Sequence, residues 1–128
     1  MSEQTVALER KIVTAIPGPK SQELHAKRLK EVSHGVGAAL PVYIDRAHGA
    51  TLIDVDGNQF TDLGSGIGVV TIGHTNDEVV RAVQEQVAKL THTLFTVTPY
   101  VPYVELCELL NKYTPGNFEK RSALFNSG

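Results

Sequence analysis

The hydrophobic and polar positions along the first half of the chain change their period near Pro41. Between residues 21 and 32 the apolar residues stand among charged ones at a helical spacing, which predicts a short surface helix. From Pro41 to Leu63 apolar and polar residues alternate instead, as they do in half-buried strands. Asp56-Gly57-Asn58 interrupts this alternation with residues that tolerate positive φ and therefore predicts a hairpin turn. We expect a three-stranded antiparallel meander over residues 41–63.

The second half of the chain shows two helical patterns. Apolar residues over 76–90 predict a helix with one buried stripe, formed by Val79, Val80, Val83, Val87 and Leu90. The preceding Thr75-Asn76-Asp77-Glu78 has the form of a capping box, with the Thr75 hydroxyl at the N-cap. A second helix is predicted to begin near Pro102, whose fixed φ suits a first turn, and to stop at Pro115-Gly116.

Residues 122–125, Ser-Ala-Leu-Phe, predict a short buried strand. The strand runs into Asn126-Ser127-Gly128, which is how a strand–loop–helix anion site begins. The helix of such a site does not follow in this sequence. We therefore expect the chain to be a segment of a longer protein. Alone it should be partly unfolded or self-associated, because its apolar stripe and edge strand need covering.

Between the meander and the first of these helices lies the glycine-rich run Gly64-Ser65-Gly66-Ile67-Gly68. Three glycines in five positions allow the backbone to approach a ligand or another chain closely. A phosphate-binding loop is unsupported, because no helix begins directly after the run and no lysine follows it. Its pattern alone favours a tight connector.

Composition and charge exclude several classes of protein. The 128 residues have a formal net charge of -2 and an apolar fraction of 41%, a globular composition without the basic surface that nucleic acids require. The single Cys107 excludes an internal disulfide and is expected to be a buried, inert thiol. No stretch reaches the roughly 20 apolar residues of a membrane span. We expect a cytoplasmic protein with no membrane or nucleic-acid partner.

The polar residues suggest no catalytic constellation by themselves. Five histidines are scattered along the chain without metal-ligand spacing, at positions 25, 34, 48, 74 and 92. His74 is interpreted as a hydrogen-bonding residue before a helix. The aspartates of the meander are interpreted as turn and solvent residues, because alternate strand positions face opposite sides: Asp45, Asp54, Asp56 and Asp62. From the residues alone the chain is a soluble piece of an α/β protein.

Several motifs, in their order and spacing, resemble the class III (ω-amino acid) aminotransferases. Residues 53–63 are similar to the family's D-x-D-G-x-x-Y-x-D hairpin, with Phe60 in place of the common tyrosine, and residues 64–74 resemble its G-I-x-V-x-x-x-G-H stretch. The helix pattern after residue 78 is similar to the family's V-x-x-A-V-x-x-Q. The stretch from His92 to Leu109 resembles the 4-aminobutyrate branch, except that Thr96 stands where a glutamine can occur.

The resemblance implies an α/β chain of the pyridoxal-phosphate-dependent transferase fold type I. Residues 1–40 would form an N-terminal arm and helix, and residues 41–74 the meander and glycine-rich loop of the small domain or dimer-interface segment. Residues 75–128 would supply two helices leading into the first strand of the large pyridoxal-phosphate domain. A homodimer or a dimer of dimers is implied.

The resemblance also implies an activity and its residues. The intact protein would transfer an amino group from 4-aminobutyrate or a related ω-amino acid to 2-oxoglutarate, giving succinate semialdehyde and glutamate. Ile67 and Thr96 would contact substrate, while Ser127 and the Gly128 amide would bind the cofactor phosphate. No catalytic residue is assigned, because the family's Schiff-base lysine would lie beyond residue 128, and the chain alone should be inactive. The alternatives are another class III enzyme, such as an acetylornithine or ornithine aminotransferase or a dialkylglycine decarboxylase, and a stand-alone, non-catalytic interaction module.

Overall fold

The protein is represented by a computed structural model that describes residues 9–126. Its elements, in chain order, are α1 (Pro19–Glu31), β1 (Ile44–His48), β2 (Thr51–Asp54), β3 (Gln59–Thr61), α2 (Ser65–Gly68), α3 (Asp77–Lys89) and α4 (Val101–Tyr113). The chain divides into two compact units, Met1–Val83 and Gln84–Gly128. Helices and an antiparallel sheet together make an α/β architecture.

The sheet confirms the predicted meander. Its three strands are antiparallel and lie in the order β1-β2-β3, with Ala47 opposite Leu52 and Leu52 opposite Phe60. Gly57 turns the chain between β2 and β3 with φ of 89°, a backbone conformation that side chains disfavour. β3 ends at Thr61, two residues before the predicted boundary, and Asp62 directly follows it.

The interior of the first unit is built on a polar group. Among the described residues Ile53, at 5% exposure, is the one large apolar side chain that is buried, whereas Asn58 is fully buried at 0%. Asn58 Oδ1 accepts hydrogen bonds from the Val13 and Thr14 amides at 2.8 and 3.0 Å. Its Nδ2 donates to Thr14 Oγ1 and to Asp54 Oδ2 at 2.9 and 2.8 Å. One side chain therefore joins the N-terminal segment to the β2–β3 turn.

A second aspartate of the same turn caps α1. The carboxylate of Asp56 accepts the Lys20 and Ser21 amides at 2.8 and 2.9 Å, which satisfies two of the free N–H groups at the start of that helix. Desolvation raises the pKa of Asp56, but hydrogen bonds from Ser21 and Lys20 outweigh it, so the pKa lies below its ordinary value. A side chain at Gly18 would collide with this carboxyl. Asp56 is thus more than a turn residue.

Both predicted long helices are present, but the cap of α3 was assigned to the wrong residue. Asn76 Oδ1 accepts the Glu78 and Val79 amides at 3.1 and 3.3 Å and is the N-cap. The Thr75 hydroxyl is engaged elsewhere, since it donates to Ala47 O at 2.8 Å, and Thr75 has a positive φ of 46°. The start of α3 is therefore attached to β1 by the residue expected to cap it.

The apolar stripe of α3 is uncovered in this chain. Its exposed fractions are 47% for Val79, 55% for Val83 and 60% for Val87. Residues 122–125 form no strand, and Phe125 is 85% exposed. The strand prediction is wrong for this chain because a strand needs a neighbouring strand to bind its backbone, and none pairs with these residues in the described part. Cys107 is half-buried rather than buried.

Replacing Asn58 by aspartate tests the polar interior. Asn58→Asp removes the Nδ2 donor and places a second carboxylate against Asp54. We expect the free energy of unfolding in urea to fall by about 3 kcal/mol. Two carboxylates would then lie in contact in a buried site, and Asp54 would lose a hydrogen-bond donor. Amide hydrogen exchange at Val13 and Thr14 should accelerate as well. Asn117→Asp, the same change at an exposed position, is the control. Equal effects of the two variants would contradict this role of Asn58.

The cap of α1 has a defined pH dependence. Because the folded-state pKa of Asp56 is depressed below 3.8, its stabilising contribution is complete above that pH and disappears as the pH falls through the folded-state pKa. Asp56→Asn should therefore lower the melting temperature near neutral pH, and the difference from the unsubstituted protein should vanish in acid. Asp45→Asn, at an exposed carboxylate, serves as the control. A difference independent of pH would rule out this linkage.

Candidate functional site

The most unusual backbone of the first unit lies in loop 63–73, between β3 and α3. The loop is anchored at both ends to the turn that joins β1 and β2. At its start the Asp62 amide donates to Ala50 O at 2.8 Å, and at its end His74 and Gly49 exchange backbone hydrogen bonds of 2.8 and 2.9 Å. Gly73 has φ of 90°, and a Cβ there would lie 3.1 Å from Gly49 Cα. This close approach of two backbone segments therefore requires glycine at position 73.

The side chains at the two ends of this loop also meet. His74 Nε2 lies 2.6 Å from Asp62 Oδ2, and both side chains are largely shielded from solvent, at 23% and 13% exposure. The other carboxylate oxygen, Oδ1, accepts the Gly64 and Ser65 amides at 2.8 and 2.9 Å. The hydrogen bond from His74, followed by those from the two amides, lowers the pKa of Asp62. Both carboxylate oxygens are thus occupied.

Next to this pair the glycine-rich run forms a left-handed turn, so the four residues of α2 are not a right-handed α-helix. Four consecutive residues have positive φ: Ser65 (48°), Gly66 (62°), Ile67 (63°) and Gly68 (75°). Residues other than glycine visit this region singly and at a cost, and a β-branched residue there is a genuine outlier. The Ile67 side chain projects from the turn and is 98% exposed. The tight connector expected from the sequence is present, and it presents an apolar side chain in a strained conformation.

A cavity of about 280 Å³ lies between the loop and the β1–β2 turn. Four polar residues contribute to its lining, which comprises Gly49, Ala50, Asp62, Ser65, Val70, Thr71, Ile72, Gly73 and His74. Ile67, predicted to contact substrate, is not among the lining residues. It lies on the outer surface of the turn, so the structure does not bring it into this cavity.

The other predicted substrate residue belongs to the second unit. Thr96 is exposed at the tip of a turn in which Leu94 O accepts the Val97 and Thr98 amides, both at 2.9 Å. Beside this turn Phe95 stacks on Tyr103 with 4.0 Å between ring centroids, and Tyr100 meets both rings edge-on. The segment that the sequence left unassigned is therefore organised by an aromatic cluster.

Ser127 and Gly128, the predicted phosphate-binding residues, lie outside the described residues. Within residues 9–126 no group of histidine, cysteine, aspartate and glutamate could hold a metal ion. In the same part of the chain, no helix combines the length and apolar character needed to cross a membrane.

The pairing of Asp62 with His74 was missed by the sequence analysis. His74 was correctly expected to form hydrogen bonds, but its partner was not identified, and Asp62 was assigned to turns and solvent. The spacing of twelve residues is neither a strand nor a helix period, so no pattern connects the two side chains. The available signal was Gly73, at which a side chain would meet Gly49, so that glycine permits the end of the loop to approach the β1–β2 turn.

The loop and the helices after it occur in proteins of known class. The profile of the family described as "Aminotransferase class-III" matches residues 32–128. The chain is 57% identical over 119 residues to the 4-aminobutyrate aminotransferase of Mycobacterium tuberculosis, covering 93% of this chain and 26% of that protein. It is 44% identical over 108 residues to the 5-aminovalerate aminotransferase DavT of Pseudomonas putida, covering 84% of this chain and 25% of that protein.

Solved structures share the fold. An acetylornithine aminotransferase from Elizabethkingia anophelis superimposes with a TM-score of 0.66 at 27% identity, over 72% of this chain and 24% of that one. The chain thus spans about a quarter of the length of its relatives. Since the family profile covers most of the sequence and the fold agrees, the chain belongs to the class III aminotransferases.

Proposed function

We propose that the full-length protein transfers an amino group from 4-aminobutyrate, or a closely related ω-amino acid, to 2-oxoglutarate, giving succinate semialdehyde and glutamate. The observation that supports this most is the 57% identity to mycobacterial 4-aminobutyrate aminotransferases. 5-Aminovalerate, one methylene longer, is the nearest related substrate: a 5-aminovalerate aminotransferase is 44% identical to this chain and another 4-aminobutyrate aminotransferase 41%. Substrate profiling therefore decides between the two.

The family implies pyridoxal phosphate, which supplies the electron sink that such chemistry requires. The contribution proposed for this chain is at the cofactor phosphate, where Gly128 would donate its backbone amide and Ser127 its hydroxyl. A hydroxyl and a free amide are suitable donors to a phosphate. The lysine that binds the cofactor covalently is not assigned to any residue of this sequence.

The proposed substrate contacts use the exposed turns of the two units. Ile67 offers an apolar side chain that could cover the methylene groups of an ω-amino acid, which carry no hydrogen-bonding atoms. Thr96 offers a hydroxyl that can donate to or accept from a polar group of the substrate. Each side chain is exposed in its own unit, so each is available for such a contact.

The exposed apolar faces support an assembled protein. The α3 stripe and the α4 face, formed by Leu106, Leu109, Leu110 and Tyr113, are uncovered in this chain. Such faces are normally buried against other parts of a protein or another subunit. We propose a homodimer or a dimer of dimers, as the family resemblance implies, acting in the cytoplasm on small amino and oxo acids.

The proposal is tested by substrate profiling of the full-length protein with pyridoxal phosphate. With 2-oxoglutarate as acceptor, we expect kcat/KM for 4-aminobutyrate to exceed that for 5-aminovalerate by about tenfold, since one methylene is worth roughly 1–3 kcal/mol in a fitted pocket. Glutamate formation is the readout, and omission of 2-oxoglutarate is the control. A preference for ornithine or acetylornithine would assign a different class III reaction. No turnover of any amino donor would favour a non-catalytic protein.

The strained turn gives a second prediction. Ile67→Gly removes an unfavourable positive φ together with the proposed apolar contact. We expect the free energy of unfolding to stay unchanged or to rise by up to about 1 kcal/mol, while kcat/KM for 4-aminobutyrate falls about tenfold. Ile72→Gly is the matched control, and because Ile72 lacks a positive φ we expect it to lose about 0.5–1 kcal/mol of stability. Ile67→Gly with full activity would exclude Ile67 from substrate contact.

A further inference from the structure

The position of Ile67 depends on backbone hydrogen bonds rather than on packing. Its side chain is almost fully exposed, so no packed neighbour fixes it. The turn is closed instead by the carbonyl groups of the two residues that begin it. Gly64 O accepts the Ile67 amide at 2.8 Å, and Ser65 O accepts the Val69 and Val70 amides at 2.9 and 3.0 Å. Ile67 is thus located by the orientation of the peptide units at residues 64 and 65.

Those same two residues are bound by Asp62. Its Oδ1 accepts both the Gly64 and the Ser65 amide. The Ser65 N–H and Gly64 O belong to the same peptide unit, so this bond orients the carbonyl that accepts the Ile67 amide. The carboxylate itself needs a fixed orientation for this purpose. That orientation is provided by His74, which lies 2.6 Å from Oδ2 and is attached to Gly49 through its own backbone. A continuous set of hydrogen bonds leads from the β1–β2 turn to Ile67.

We propose that Asp62 and His74 are positioning residues for substrate: together they hold the left-handed turn in the orientation that presents Ile67 to the ω-amino acid. This inference rests on the proposed function for its substrate contact. The structural part stands independently of it, because the bonds that connect His74 to the turn are all within the first unit. A small displacement of a positioned group can reduce catalysis by up to about 100-fold, so the pair should influence kcat/KM without touching substrate.

The test compares two replacements of His74 in the full-length protein. His74→Phe removes the donor to Asp62, whereas the side-chain amide of His74→Gln can still donate to it. We expect His74→Phe to accelerate hydrogen exchange at the Gly64 and Ser65 amides, and to raise the KM for 4-aminobutyrate about tenfold with a smaller change in kcat. His74→Gln should restore most of both. His34→Phe, at an exposed position in another loop, is the matched control.

A double-mutant cycle separates positioning from a general loss of stability. If His74 acts through Ile67, His74→Phe should raise KM in the unsubstituted protein but not in the Ile67→Gly background. Additive effects would overturn the inference, and so would unchanged exchange at residues 64 and 65 in His74→Phe. If the unsubstituted protein turns over no amino donor, the proposed function is refuted, and the substrate contact of this inference with it. Activity with unchanged exchange refutes the inference alone.

Discussion

The described fold depends most on the buried amide of Asn58. A chain with so little apolar interior must be ordered by directional bonds, and this side chain makes four of them, to residues separated from it by as many as 45 positions. Each partner would be left unsatisfied in a shielded site if the amide were absent, and that penalty exceeds the modest net gain of a single hydrogen bond. The N-terminal segment, the β2–β3 turn and, through Asp56, the start of α1 consequently form one connected structure.

Each of the three aspartates of the hairpin motif makes a different structural contact. Asp54 orients Asn58, Asp56 caps α1, and Asp62 binds both the turn that follows and His74. Their spacing along the chain has a simple origin. Asp54 ends β2 and Asp56 lies within the tight turn that follows, where their carboxylates reach free amides, and Asp62 directly follows β3. The motif by which the family resemblance was identified is therefore a set of structural contacts.

How well the sequence predicted each feature depends on how far apart in sequence the interacting residues lie. The meander and the two long helices were predicted because alternation, helical spacing and turn chemistry are local properties. The N-cap of α3 was placed one residue early, since two adjacent residues can both cap a helix and the choice depends on the contact of Thr75 with β1. The strand over 122–125 was predicted from composition, but a strand forms only against a partner. The Asp62–His74 contact depends on the path of an entire loop, which no periodicity records. The substrate roles of Ile67 and Thr96 and the phosphate roles of Ser127 and Gly128 remain predictions.

The left-handed turn also restricts which residues can occupy position 67 if the protein is to act on a new substrate. At position 67 the backbone disfavours β-branched residues, so the present isoleucine is the conformationally expensive choice for an apolar surface. Asparagine, aspartate and glycine tolerate the same φ at lower cost, but they replace that surface with polar groups or remove it. Few single substitutions at residue 67 would therefore preserve both the backbone conformation and the apolar surface. Changes in substrate size should be accommodated more readily by other parts of the site, with residue 67 retained.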